Sequence, residues 1–548
     1  MHFIDYIVIV IFSIGILVAG LSFSGSGKSM KNFFAAGGAV PWWISGLSLF
    51  MSFFSAGTFV VWGSIAYTHG WVSVTIQWTM AIAGFIIGFF IAPKWHRARV
   101  LTAAEYITQR LGLNVQKLYS YLFLFISLFT TGAFLYPVAK IVEVSTGFPL
   151  HWCIIVLGLI IILYTTAGGL WAVIVTDVLQ FIILTAAVLI VVPLAFKKVD
   201  GISGFLQNTP EDFFNIFSGE YTLGFMIAFG LYNLFFISGN WAYVQRYTSV
   251  PTQREAKKVG YLFGTLYLIS PVIWMLPPMI FRVFNPGLEG FGDEGAYLMM
   301  CKEVLPIGML GLMLGAMIFA TSSSVNTTLN IAAGVFTNDL YKNINPNTSN
   351  KQLMVVARMA TVAFGILTIV VALLVQNMGG IVEVVLSVAA ITGAALYLPP
   401  IWSLFSKRQN GKSILTATLV SLAINAVFKF ITPYAFSFSL NRSQEMILGV
   451  AVPIIVLTLF ELWFTLNKKD NPHFAKYEKQ REEKEIEAEE AVVSDSQNTH
   501  GRKVISFGIL GTGLLVSVIG VFADTGKWLV IAAGVAIILT GILIKPKK

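Results

Sequence analysis

The sequence predicts an all-α polytopic membrane protein, and three observations carry that prediction. Hydrophobic residues make up 56% of the 548 positions and charged residues only 11%, with a mean hydropathy of +0.78, which no soluble multidomain chain sustains. The apolar residues fall into about 15 segments, each near or above the roughly 20 residues that cross a bilayer core. Lys and Arg are distributed unequally between alternate connecting loops.

In order, the segments lie near 5–23, 41–67, 71–94, 115–145, 149–170, 171–197, 222–243, 256–284, 303–340, 351–377, 381–405, 413–432, 445–465, 504–522 and 527–545. With the N-terminus outside, the inner loops carry Lys28, Lys31, Arg97, Arg99, Arg110, Arg246, Arg254, Lys257, Lys258, Lys407, Arg408 and Lys412. The charged stretch 466–503 and the C-terminal lysines join them. Most of the 36 basic residues are then inside, so the sequence predicts N-out and C-in, in a plasma (inner) membrane. The net charge of +9 reads as this topology signal, and nucleic acid is not an expected partner. The first segment contains Asp5 and has no basic stretch before it, unlike a cleaved signal. Cys153 and Cys301 fall near outer ends, where a bridge is conceivable but unsupported by any framework. The six histidines sit in loops or at segment ends, which excludes a haem or copper respiratory enzyme and leaves no expected organic cofactor.

Two segments are interrupted. The second reads Phe50-Met51-Ser52-Phe53-Phe54-Ser55-Ala56-Gly57-Thr58, and the seventh reads Asn233-Leu-Phe-Phe236-Ile-Ser238-Gly239-Asn240. Each places its Ser/Gly cluster at a similar depth, five segments apart, which is the signature of an inverted repeat whose broken helices build a midplane site; ordinary close packing of helices is the alternative. The predicted organisation is an accessory helix and loop (1–40), a first five-helix repeat (41–197), an outer loop (198–221) and a second repeat (222–405). Two accessory helices (406–465), a solvated charged linker (466–503) and two further helices (504–548) follow.

The ninth segment carries a polar stripe. Ala320, Ser323, Ser324, Thr327 and Asn330 recur at helical spacing on one face, and in hydrocarbon such a face must meet protein, a cavity or an ion. Adjacent hydroxyls suit a small hard cation, while helix-to-helix packing is the plainer reading. Asp177 is the one carboxylate well inside a segment, and its expected partner is sodium, a proton or a basic residue such as a cytoplasmic Arg. No Arg falls where the midplane site is expected, which favours a neutral or zwitterionic ligand.

From about residue 5 to 430 the chain resembles the sodium:solute symporter family, the group of sodium/glucose, sodium/proline and sodium/iodide carriers. Gly37-Gly38 with Trp42-Trp43, Ala167-Gly168-Gly169-Leu170 leading to Thr176-Asp177 and Gln180, Gln245-Arg246, and Phe336-Thr337-Asn-Asp339-Leu340-Tyr341-Lys342 carry the resemblance. It implies a LeuT-like fold of two inverted five-helix repeats. It also implies a sodium ion held by the carbonyls of Met51, Phe54 and Ala320 and the hydroxyls of Ser323 and Ser324. A second sodium or proton position would involve Asp177 with Asn326 and Thr327, where the family's hydroxyls are only partly kept. By the same resemblance the solute contacts are Thr58, Gln77, Asn233, Phe236 and Tyr267, with Met80 and Tyr267 standing where sugar carriers have polar or basic groups. The function implied is sodium-coupled import of a small polar organic solute, a sugar or related neutral molecule, by a non-enzymatic carrier for which a monomer suffices. Amino acids or monocarboxylates as solute, and proton coupling through Asp177, are the alternatives.

Overall fold

A computed structural model describes the chain apart from residues 23–37, 54–55, 101–102, 165–169, 290–291, 342–343, 346, 469–470, 491–495 and 547–548. Phe54, Gly37, Ala167, Gly168, Gly169 and Lys342 therefore lie outside the described residues, as do the side chains of Ser323, Asn326, Thr327, Asn330 and Asp339. The described chain is helical, with a single isolated bridge between Ser218 and Tyr221.

Among the described residues, ten helices are long and apolar enough to cross a membrane, and an eleventh candidate is the bent pair Leu223–Gly239 and Trp241–Thr248. The other expected segments hold the helices Phe3–Leu21, Trp42–Met51, Leu150–Tyr164 and Met309–Val335.

Close helix contacts rest on small residues. The helices Val72–Ala98 and Gln253–Phe284 face each other through Gly84, Gly88, Gly260 and Gly264; a Cβ on Gly260 would lie 2.5 Å from the Gly88 Cα. Glycines at four-residue spacing let two backbones meet where lipid supplies no hydrophobic drive between helices. The last two helices, Ser496–Val521 and Lys527–Ile544, form a hairpin by the same means, with Gly513 against the Gly534 carbonyl, and dock on Leu170–Lys197.

The stripe helix Met309–Val335 packs against Leu113–Thr146, Phe3–Leu21, Leu170–Lys197 and Asn350–Leu374, which places it at the centre. Asp5, in the first helix, is buried and accepts from the Gly308 and Gly311 amides at 2.8 and 3.1 Å. A carboxylate there satisfies two of the amide groups that a helix start leaves open and complements its dipole. Gly311 is required by the approach, since a Cβ would lie 2.2 Å from the Asp5 carbonyl.

Pro472–Glu490 is a helix, and the next helix begins at Ser496. Cys153 and Cys301 are both buried free thiols.

Candidate functional site

The first interrupted segment breaks where expected. Trp42–Met51 is helical, a turn at Ser52 and Phe53 follows, and helix resumes at Ala56 through a π-helical turn at Thr58–Trp62 before Gly63–His69. Ser and Gly favour such a break because they offer the backbone alternative hydrogen bonds or extra freedom while adding little packing. The Thr58 hydroxyl donates to the Phe53 carbonyl at 2.7 Å across the break. On the far side, the Ala56 amide donates to the Thr321 hydroxyl at 2.9 Å, a buried bond that joins the broken helix to the stripe helix.

Met51 and Ala320 are buried and Ser324 is half-buried. Phe54 and the Ser323 side chain lie outside the described residues. Helical spacing picks out Ala320, Ser323 and Ser324 but passes over Thr321, whose hydroxyl the structure uses to anchor the break. The available signal was the unbroken run Thr321-Ser322-Ser323-Ser324, four hydroxyls on successive positions that spread beyond one stripe.

Asp177 is buried and its carboxylate accepts from the Ser48 hydroxyl at 2.6 Å, while Arg246 approaches it at 3.7 Å. Arg246 Nε also donates to the Ser48 hydroxyl at 3.2 Å, and its guanidinium to the Ala242 carbonyl. Three helices meet here: Trp42–Met51, Leu170–Lys197 and Trp241–Thr248. The partner of Asp177 is thus a basic residue, one of those the sequence left open, and Ser48 completes a triad no motif had marked. Removing one member of a buried ion pair costs about 3–5 kcal/mol, because the other charge stays buried and unpaired.

The second break is sharper. Leu223–Gly239 and Trp241–Thr248 meet at 64°, with Asn240 extended between them. Its side chain caps the following helix by accepting from the Ala242 amide at 3.0 Å. Trp95 Nε1 donates to the Ser238 carbonyl at 2.7 Å, and the Tyr247 hydroxyl to the Ile237 carbonyl. Gly239 is needed because a Cβ would lie 2.8 Å from the Tyr397 side chain.

Of the residues expected to contact solute, Thr58, Gln77, Asn233 and Tyr267 are buried at 2% exposure or less and Phe236 is half-buried. Gln77 Nε2 donates to the Ser73 carbonyl. Among the described residues the Asn233 Nδ2 and the Tyr267 hydroxyl have no partner, an arrangement that is costly unless a ligand or water answers it. Aromatic rings crowd the same region. Phe236 stands 6.0 Å from Phe53 and 5.4 Å from Tyr243, and Tyr267 5.0 Å from Phe50.

At the other end of the first broken helix, the Ser64 hydroxyl donates to Asp293 at 2.5 Å. Its neighbour Glu294 is buried, accepting from the Tyr136 hydroxyl at 2.7 Å and the Ile381 amide at 3.0 Å. Asp293 and Glu294 thus join the helices Gly63–His69, Leu113–Thr146 and Gly380–Val388.

Two broken helices, each tied to unbroken neighbours, meet at a buried Asp177–Arg246 pair within a bundle of apolar helices long enough to cross a membrane. The chain belongs to the sodium:solute symporter family, whose pattern matches residues 33–421. It is 27% identical to sodium/glucose cotransporter 1 of Ovis aries over 480 residues, covering 79% of this chain and 72% of that one. It is 26% identical to the sodium/sialic acid symporter NanT of Aliivibrio fischeri over 435 residues, 76% and 86% of the two chains. Its fold is similar to that of a substrate-bound, outward-open Na+-coupled sialic acid symporter described as revealing a novel Na+ site. The TM-score there is 0.68 at 22% identity, covering 84% of this chain and 98% of that one. Sodium and a small organic solute are what this family carries, and these relatives are transporters.

Proposed function

We propose that this chain is a sodium-coupled symporter that imports a small polar neutral solute, a sugar or close relative, across the plasma (inner) membrane with its N-terminus outside. The observation that carries the solute class is the chemistry of the interior. Gln77, Asn233 and Tyr267 offer uncharged hydrogen-bonding groups, two of them unanswered, beside rings that can face the C–H surface of a sugar. Sugar and sialic acid carriers among the relatives support the same reading.

Sodium, as a transported substrate, is assigned to Met51, Phe54, Ala320, Ser323 and Ser324. The Ala56 to Thr321 bond supports this assignment, since it joins the two elements the ion would bridge. Sodium entering from outside ties the break to the stripe helix and favours the state that accepts solute; coupling requires both ligands to prefer that state. Asp177, with Asn326 and Thr327, is the proposed second cation position, and a cation there must compete with Arg246 for the carboxylate.

The test is thermal unfolding of the purified protein with a panel of sugars, polyols, amino acids and carboxylates, in sodium and in potassium. A sugar or polyol that raises the transition only in sodium is the expected result, by binding linkage. Stabilisation by any solute that is indifferent to sodium would overturn the coupling, and an amino acid or carboxylate as the sole hit would overturn the solute class.

A further inference from the structure

The Pro472–Glu490 helix is the strongest feature that transport as described leaves unused. Its charged sequence suggests a solvated linker, yet Phe474, Tyr477, Arg481 and Lys484 recur at i, i+3, i+7 and i+10, one face. That face is seated. Tyr477 is 6% exposed and its ring stands edge-on to Tyr106 at 6.0 Å. The Arg110 guanidinium lies over the Phe474 ring at 4.8 Å, and Lys484 pairs with Glu105 at 2.7 Å. All three partners belong to Ala103–Leu111, the short helix between the second and third helices of the first repeat.

The contacts continue inward without a gap. Tyr106 packs on Trp95 at 4.8 Å, and its hydroxyl is 2.8 Å from Ser403 near the end of the second repeat. Trp95 in turn donates to the Ser238 carbonyl and packs on Trp241 at 5.9 Å, which are the two sides of the second break. Arg110 also donates to the Ser406 and Gln409 carbonyls, just past the last helix of that repeat. Side chains from the linker helix thus reach the hinge of the second broken helix in three steps, Tyr477 to Tyr106 to Trp95.

We propose that the Pro472–Glu490 helix is a latch on the second break: seated, it holds Trp95 beneath Ser238 and restrains the Trp241–Thr248 half, and released, it frees that half to move. Spatial continuity alone does not establish coupling, so the test must perturb one end and read the other. The full-length protein in lipid nanodiscs is followed by hydrogen–deuterium exchange, which needs no solute and is independent of the transport reading. Tyr477→Ala should raise exchange at least ten-fold across 472–484 and several-fold at Trp241–Val244, with Tyr477→Phe near the parent. Lys484→Glu should loosen both regions more weakly, and the charge swap Glu105→Lys with Lys484→Glu should restore them.

Faster exchange in 472–484 with no change at Trp241–Val244 would overturn the latch, and so would failure of the charge swap to restore either region. If the coupled exchange holds while no solute binds in sodium, the latch stands and the symport reading falls. If sodium-dependent binding holds and the exchange is uncoupled, the latch alone falls.

Discussion

The two broken helices solve the same backbone problem in different ways. At the second break a neighbouring helix brings a donor, Trp95, to the Ser238 carbonyl, while Tyr247 and Asn240 of the same segment answer the Ile237 carbonyl and the Ala242 amide. At the first break Thr58 answers the Phe53 carbonyl from within the segment, and the neighbouring helix brings an acceptor, the Thr321 hydroxyl, to the Ala56 amide. The indole N–H that reaches the second break holds a carbonyl but cannot ligate a cation. A hydroxyl oxygen can ligate a cation, and the sequence after Thr321 continues with three serines, which is why the sodium position is proposed at the first break.

That contrast can be broken experimentally. The largest effect is expected from Ser323→Ala with Ser324→Ala, which should abolish sodium stimulation of uptake into proteoliposomes; retained stimulation would remove the ion from the first break. Next, Asp177→Asn leaves Arg246 buried and unpaired and should cost about 3–5 kcal/mol in stability, largely recovered with Arg246→Met. Equal melting of Asp177→Asn and the parent would mean that the pair does not hold Leu170–Lys197 to Trp241–Thr248.

Thr321→Val keeps the shape but leaves the Ala56 amide without its acceptor, for a predicted loss of about 1–3 kcal/mol and weaker apparent sodium affinity. If titration of uptake against sodium gives the parent affinity, the anchor is separate from the ion site. At the second break, Asn240→Ala removes a cap worth about 0.5–2 kcal/mol and should leave sodium affinity alone. A shift in sodium affinity as large as that of Thr321→Val would erase the distinction between the breaks. The smallest change is Trp95→Phe, which keeps the ring and loses one hydrogen bond, at about 0.5–1.5 kcal/mol by thermal unfolding. A parent-like transition would show that water answers the Ser238 carbonyl as well as the indole does.

Much of this was legible in the chain itself. Apolar run length located the long apolar helices, and the Ser/Gly clusters fall at the turn of Ser52 and Phe53 and at the bend of Asn240. Helical periodicity found the hydroxyl stripe but not Thr321, because the hydroxyl that anchors the break points to a neighbour that periodicity cannot see. Asp177 stood out as an intramembrane acid, yet its partners Ser48 and Arg246 lie 129 and 69 residues away in sequence. Asp5 read only as an obstacle to a signal peptide and proves to cap the central helix. The linker's composition hid its seated face, since charges dominate an average while four side chains on one stripe decide docking.

By itself the sequence determined what depends on local chemistry and on solvent: which segments enter lipid, where helix gives way, and which family's pattern the chain carries. Only the tertiary structure decided which polar groups meet. In a membrane interior every buried donor, acceptor and charge must find a partner, and the partners of Asp177, Ala56 and Ser238 come from helices distant in the chain, brought within hydrogen-bonding reach by packing alone.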